Sequence, residues 1–574
     1  MGQKRRRPLK ETDINSQIPP VISKPKKKKL TVAKVKISVH ELPDLPAFSP
    51  PPREILSTHE RCALFFNTVS TTPFEIFSAF FTPQHLEIIV DNSNAYALQK
   101  VGRKWKSITV IELQVFLALV IMMGLYVYPS VRDYWKTDRR LPLMNNMSLD
   151  RFEDIKRYLH LSPPISQLES SSRTFEWWMK LEPLASWVRQ QSKKLYLPAS
   201  QVAVDEMMVR FGGRSKHTVK MPNKPISEGY KIFALCDRGY TYDFTFYSPH
   251  TGYSYITKQP SSDLTPTGDM VYALATSLPY KQYRFDIYMD NFFTSIPLLR
   301  ALLHQDIGAI GTARQTSAEF PASLNINKDE VRKSLPWNHL CGDIVDNNIL
   351  VLLWQDNNAV ILMSTIHDPT SYTVVRRRKP RATSTNATKA REPFGPTHEL
   401  NLPIPSIIDD YNQYMNGVDI ADHLRSNYCT QLTSHRTWVP LFYWLLDTVI
   451  INSYRIYQQT YPQSVHKDFR EAIIKGLVTT EKKPQLHHST TSRYVSSLSN
   501  PHPRPFRLTG SHSMTLVTKP QRRLCWLCRY QTQWATGVNS TLPSVRKTRT
   551  KCLECNIFLC TDNGCFSMYH SDRL

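Results

Sequence analysis

The chain has 574 residues, 72 lysines and arginines against 48 acids, a formal charge of +24 and a hydrophobic share of 41%. That length and apolar content sustain several packed units and exclude a small peptide-like module. A charge of this size attracts polyanions, and an aromatic share of 11% excludes a merely disordered basic chain; nucleic acid is therefore the expected partner, and no small-molecule substrate is expected.

Residues 1–50 hold KRRRPLK and KPKKKK followed by PDLPAFSPPP, a mix of like charges and prolines that cannot bury a core. A disordered basic arm is expected there. Its two clusters suit nuclear import or phosphate binding, and no apolar run follows the first residues as a secretory signal requires, so the nucleus is the expected location. Over 51–200 the apolar residues recur at helical spacing in PFEIFSAFF, QHLEIIVDNSNAYALQK and FEWWMKLEPLASWVRQQSKKL, which predicts a helical domain. The longest apolar run, Val115 to Tyr128, is shorter than the roughly 17–25 residues of a membrane helix. It predicts a core helix and no membrane partner.

Near Val202 the pattern turns to alternation: QVAVDEMMVRF, KIFALCD, YTYDFTFYS and YRFDIYMDN predict a sheet within 201–310, with Arg238 and Gly239 as a hairpin turn. Asp205 is expected to end one strand and Asp290 another. In IYMDNFFTS, residues 287–295, an amide, two aromatics and two hydroxyls follow the acid. A carboxylate at the end of a core strand costs desolvation unless it meets a charge or a metal; an ordinary strand-to-helix cap is the other reading. SIPLLRALLHQ predicts a helix, residues 311–400 read as β-rich, and the basic segment RRRKPRATSTNATKAREP, 376–393, reads as a loop tip.

Helical spacing returns in IIDDYNQYMNGVDIADHLRSNY and WVPLFYWLLDTVIINSYRIYQQTY. Asp419 and Asp422, three apart, share a helix face, which lets at least one point back at the sheet. Acids gathered in this way repel unless divalent cations sit among them. Mg²⁺ takes carboxylate oxygens, and two such ions about 3.5–4 Å apart clamp the attacking and leaving oxygens of a phosphoryl transfer. Arg210, Arg214, Lys216, Lys220 and Lys224 follow Asp205 closely and are candidate phosphate contacts, a solvated strand edge being the alternative.

A linker rich in Ser, Thr, Pro and His runs over 476–520, and six of the ten cysteines lie beyond it. Cys525, Cys528, Cys552, Cys555, Cys560, Cys565 and His570 supply seven soft ligands. One tetrahedral Zn²⁺ takes four ligands, so seven imply two ions with one ligand unseen, in the region of Asp562 and Asn563. Arg522, Arg523, Arg549 and Lys551 flank the cluster as candidate phosphate contacts.

The segments VDEMMVRFGGRSKHTVKMPNKPISEGYKIFALCDRG, YMDNFFTSIPLL and DDYNQYMNGVDIADH and the terminal cysteine module resemble the piggyBac-type transposases, in that order and over about residues 55–570. The resemblance implies an α/β ribonuclease H-like catalytic core with a β-rich insertion, flanked by a split helical domain, plus a C-terminal cysteine-rich zinc finger. The implied division is a basic arm at 1–50, a first dimerisation and DNA-binding part at 51–200, core at 201–310, insertion at 311–400, last core helix at 401–425, second helical part at 426–475, linker at 476–520 and zinc domain at 521–574.

The resemblance further implies that Asp205, Asp290 and Asp419 are catalytic and bind Mg²⁺ or Mn²⁺, with Asp422 as a further acid near them. It implies an interleaved two-zinc finger and places an aromatic residue, here Trp438, close to the site, although a core tryptophan fits that position equally. The implied activity is cut-and-paste transposition by a homodimer on double-stranded DNA. Water attacks a phosphodiester at the transposon end, the freed 3′-hydroxyl forms a hairpin on the other strand, and after opening the 3′ ends join a TTAA target. Asn291, Phe292 and Phe293 are expected to pack the strand-to-helix turn rather than touch substrate. A domesticated relative that binds DNA or chromatin without cutting, and a zinc-finger adaptor, are the competing readings; intact acids at all three positions favour the enzyme.

Overall fold

A computed structural model describes residues 36–63, 71–136, 141–163, 176–222, 224–256, 263–384, 387–479, 513–516, 523–525, 527–528, 547–552, 557–561 and 564–570. The two basic clusters of the N-terminal arm lie outside the described residues. The chain divides into two units, Met1–Lys483 and Pro484–Leu574.

In the first unit the helices begin where a hydroxyl is available to cap them. Thr72, Thr82, Thr109 and Ser148 accept backbone N–H bonds at the starts of α1 (Pro73–Phe80), α2 (Pro83–Val101), α3 (Val110–Leu125) and α4 (Leu149–Tyr158). α5 follows at Leu184–Leu195. α3 carries the long apolar run and is buried almost throughout. No helix among the described residues is long and apolar enough to cross a membrane.

The central sheet starts with a meander, β1 (Gln201–Arg210), β2 (Glu228–Asp237) and β3 (Tyr240–Ser248), each antiparallel to the next. Arg238 and Gly239 turn β2 into β3 at φ +40° and +94°. The chain then crosses through α6 (Pro266–Ala275) to β4 (Asp286–Met289), and through α7 (Ile296–Leu303) to β5 (Gly308–Thr312). Both strands are parallel to β1, which a helical crossover makes possible. Three more strands, β6 (Leu340–Val345), β7 (Ile349–Gln355) and β8 (Ala359–Ser364), continue the same sheet antiparallel beyond β5. The order of these strands is β6-β7-β8-β5-β4-β1-β2-β3. β9 (Tyr372–Arg378) and β10 (Glu399–Pro405) form a separate two-stranded ribbon, so the first arginines of the expected loop tip lie in a strand.

Two helices, α8 (Ser406–Tyr414) and α9 (Gly417–Asn427), interrupted at Met415 and Asn416, come from what reads as one helical pattern. The break seats α9 directly on the meander. Gly417 accepts a hydrogen bond from the Gly239 N–H at 2.9 Å, and a Cβ at Gly417 would stand 2.8 Å from the Cys236 carbonyl oxygen. Only glycine lets backbone approach backbone so closely. α10 (Val439–Tyr457) and α11 (His466–Thr479) complete the unit. Fully buried Asp447 of α10 meets Arg470 of α11 at 3.5 Å and accepts the Thr430 N–H at 3.1 Å. Before α1, a strap reaches the base of β4: Arg53 is paired with Asp286 and donates to the carbonyls of Phe285 and Asp306, both at 2.7 Å.

Candidate active site

β1 and β4 run side by side in register up to Val204 and Met289, so the next residue of each, Asp205 and Asp290, emerge as neighbours. Asp290 follows the last residue of its strand, as expected. Asp205 does not end β1 but lies in its middle, because β1 continues along β2 to Arg210 after β4 has stopped. The two acids mark the end of the parallel part of the sheet.

The Glu206 N–H donates to Asp205 Oδ1 at 2.7 Å. Burial, and then the charges of Glu206 and Asp290, nevertheless push the Asp205 carboxyl up to about 8. Asp290 is also held above the ordinary carboxylate range, first by burial, even though the Phe292 N–H donates to its Oδ1 at 2.7 Å and Arg314 lies near. Asp419 stands exposed in the first turn of α9 and lines one cleft with Glu206, Lys224 and Asp422. In that cleft Arg425 holds Asp422, with Nη2 2.5 Å and Nε 3.1 Å from Oδ1, and donates to the Met208 carbonyl at 3.0 Å.

Three site residues escaped the sequence reading. Glu206 lies 2.9 Å from Lys224 Nζ and 3.8 Å from Lys231 Nζ. Burial opposes the charge on Lys224, but Glu206, Asp205 and Asp419 outweigh it and raise its pKa. Lys231 is largely buried, and burial lowers its pKa. Arg314 donates to the Asn291 side chain at 2.6 Å. Ammonium groups thus stand among the acids where a cation is called for. An all-carboxylate donor set with two acids raised by burial and mutual repulsion fits a hard divalent ion.

Asp205, Asp290 and Asp419 are not drawn within ligating distance of one another. Among the described residues the one group of three or more His, Cys, Asp or Glu whose ligand atoms all lie within 4.8 Å is Cys525, Cys528, Cys560 and Cys565. All four are buried, with Cys528 Sγ 3.6 Å from Cys560 Sγ and 3.5 Å from Cys565 Sγ. The Cys560 N–H donates to Cys525 Sγ at 3.2 Å. Thiols this close, unbridged and buried, fit a tetrahedral Zn²⁺. Of the remaining expected ligands, Cys552 is buried outside this group, and His570 Nδ1 is 2.7 Å from the Phe566 carbonyl. Cys555, Asp562 and Asn563 lie outside the described residues, as does Arg522.

Arg210, Arg214, Lys216 and Lys220 are exposed, Lys220 at 3.9 Å from Glu228, whereas Lys224 belongs to the acid cluster. Arg549 and Lys551 are half-buried in the second unit, where Arg523 opens a short strand. Trp438 is buried under the Arg436 guanidinium, 4.5 Å from its ring, with His160 edge-on at 5.8 Å. Phe293 packs into the core as expected; Phe292, beside it, keeps 42% of its surface exposed.

The family model described as Transposase IS4 matches residues 72–454. The human PiggyBac transposable element-derived protein 3 is 26% identical over 427 residues, 73% of this chain and 67% of that protein. The human Chimeric ERCC6-PGBD3 protein is also 26% identical over 427 residues, 73% of this chain but 37% of its own length. The human PiggyBac transposable element-derived protein 2 is 24% identical over 393 residues, 67% of this chain and 62% of that protein. Among solved structures, the cryo-EM structure of a piggyBac transposase synaptic complex with hairpin DNA superposes with a TM-score of 0.59 at 19% identity, over 88% of this chain and 98% of that one. At that identity the likeness is one of fold.

Proposed function

The chain belongs to the IS4 transposase family in its piggyBac-type form, and from that premise we propose that it is a cut-and-paste DNA transposase that cleaves and joins DNA at TTAA sites. The observation that carries the reading is the emergence of Asp205 and Asp290 side by side where the parallel strands end, with the helix of Asp419 seated on the same sheet by Gly417. The order β3-β2-β1-β4-β5, antiparallel in the meander and parallel from β1 to β5, supports a ribonuclease H-like core.

In this reading Asp205, Asp290 and Asp419 hold Mg²⁺ or Mn²⁺, which when bound supplies the Lewis acidity for attack on a phosphodiester. The chain's own groups do the rest. Lys224 and Lys231 balance the carboxylates, Arg425 pairs with Asp422 at the cleft, and Arg314 fixes Asn291 beside Asp290. Exposed Arg210, Arg214, Lys216 and Lys220 lead phosphates toward the acids, which a duplex with one charge per about 1.7 Å requires. Trp438, inside the core, acts on DNA only through the elements it supports. In the second unit Cys525, Cys528, Cys560 and Cys565 hold one zinc and Cys552, Cys555 and His570 contribute to a second, so that the module reads transposon ends with Arg522, Arg523, Arg549 and Lys551. The protein works as a homodimer in the nucleus, carried there by its basic arm.

Strand cleavage on a TTAA-flanked transposon end with Mg²⁺ tests the assignment. Asp205→Asn, Asp290→Asn and Asp419→Asn each lose cleavage by orders of magnitude, bind DNA as well as or slightly better than wild type, and do not add when combined, because ligands of one site act as a unit. Asn caps a helix nearly as well as Asp, so wild-type cleavage by Asp290→Asn, or cleavage that survives EDTA, returns the acid to a structural role. The second reading, DNA binding without cleavage, draws on the names of the human relatives, which describe proteins derived from transposable elements. Retained end binding with no cleavage by wild type selects it.

A further inference from the structure

Phe292 and Phe293 are consecutive, equally apolar and differently placed. Phe293 is 3% exposed and meets Phe233 edge-on, whereas Phe292 is 42% exposed immediately after the Asp290–Asn291 pair. A lone exposed apolar residue needs no explanation, but this ring is held. Its own N–H is bonded to Asp290 Oδ1 at 2.7 Å, which fixes its backbone to the acid. Its plane lies within 4° of that of Phe233, with centroids 6.3 Å apart. The Lys231 ammonium stands 4.7 Å from each of the two ring centroids, and its other neighbour is Glu206. One face of Phe292 is thus occupied by a cation that the acid cluster itself anchors. The rest of the ring meets solvent at the edge of the candidate active site.

The geometry points to Phe292 as a stacking platform for one unpaired nucleobase beside the scissile phosphate, an inference that rests on the nuclease reading above. A flat, pre-oriented phenyl ring gives a base a partner without regard to sequence, because every base has a π-face. Lys231, Lys224 and Arg314 around it favour the polyanion that carries that base over an apolar protein partner. The base must leave its own stack to reach the ring, and the stacking energy offsets that cost.

The test pairs the protein change with a change in the DNA. Full-length Phe292→Ala and Phe292→Trp are compared with wild type on a transposon-end duplex with a four-nucleotide single-stranded overhang, intact or with one abasic site placed in turn at each overhang position. Phe292→Ala is expected to lose roughly 5- to 100-fold in cleavage on the intact DNA, the worth of one stacked base, and to match wild type when the abasic site falls at the position that meets the ring. Phe292→Trp retains wild-type cleavage on the intact DNA. An equal loss for Phe292→Ala at every abasic position, or no loss on intact DNA, overturns the platform.

A second readout separates this claim from the nuclease reading. With 2-aminopurine in the overhang and no divalent ion, the bound base, drawn out of its own stack onto the ring, is several-fold brighter with wild type than with Phe292→Ala, where it returns to that stack. That result supports the platform even if the protein cuts nothing, and equal fluorescence overturns it even if the protein cuts.

Discussion

The two candidate ion sites of this chain are built on opposite plans. In the second unit four thiols converge to within 4.8 Å of one another. In the first, Asp205, Asp290 and Asp419 do not converge in this way; Lys224 and Lys231 pair with the neighbouring Glu206, and Asp422 has its own arginine. The difference follows from charge. A buried thiol remains neutral until a metal arrives, and burial with its cysteine neighbours pushes Cys565 upward, so the cluster assembles at little electrostatic cost. Carboxylates repel as soon as they ionise, and the fold must neutralise them with ammonium groups or keep them protonated. The thiol cluster is therefore closed and buried, and the acid cleft is open.

The comparison breaks most visibly at the thiols. Cys528→Ser removes a sulfur that lies 3.6 Å from that of Cys560 and 3.5 Å from that of Cys565. Structural zinc contributes roughly 10–16 kcal/mol to such modules, so the full-length variant should lose zinc by elemental analysis and become cleavable by trypsin within the second unit. The melting of the first unit should stay unchanged. Full zinc occupancy in this variant ends the closed-site reading.

Gly417→Ala is the corresponding intrusion at the acid site. The new Cβ would stand 2.8 Å from a backbone carbonyl that cannot swing away. A loss of about 1–3 kcal/mol is expected from overpacking, and because α9 must lift, cleavage should fall further than stability accounts for. Denaturant unfolding and strand cleavage measured on the same preparation decide it; an unchanged midpoint means that the helix is not seated as described.

The smallest effect sharpens the contrast rather than breaking it. Asp205, facing Glu206, Asp290, Lys224 and Lys231, is held at about 8, against about 4 in an unfolded chain. Between those values the native state binds more protons than the unfolded state, so stability of the metal-free protein falls as pH rises through that window. Mg²⁺ competes with the proton on Asp205, so its affinity should rise by up to tenfold per pH unit up to about 8 and then level off, as calorimetry in buffers of different ionisation enthalpy reports. A pH-independent affinity places the cation elsewhere.

Much of the first unit was legible because its signals are local. The meander and its Arg238-Gly239 turn, the helix after Asp290 and the core helix α3 all declare themselves in period and punctuation. The pairing that matters for the site is not local. Nothing in QVAVDEMMVRF shows that β4 stops at Met289 while β1 runs on, so Asp205 reads as a strand end when it sits in the middle. The link of Glu206 to Lys224 and Lys231 is made between a strand, a loop and a neighbouring strand, which no local pattern shows. Phe292 and Phe293 differ only by which side of a turn each occupies. In the tail, spacing singled out the four cysteines that converge but not their grouping; the pairing of Cys525 and Cys528 with Cys560 and Cys565, skipping Cys552, is a property of the folded module.

The strap that anchors β4 also sets a schedule for synthesis. Arg53 meets Asp286 across 233 residues of chain, and at roughly 5–20 residues per second a ribosome needs on the order of ten seconds or more to bridge that gap. Throughout that interval the guanidinium has no native acceptor, and the strand that delivers Asp290 does not yet exist. The nascent chain can therefore finish α1 to α5 and the meander early, but its acid cluster is a late product of translation, complete only once Asp419 has followed the strap's partner out of the ribosome.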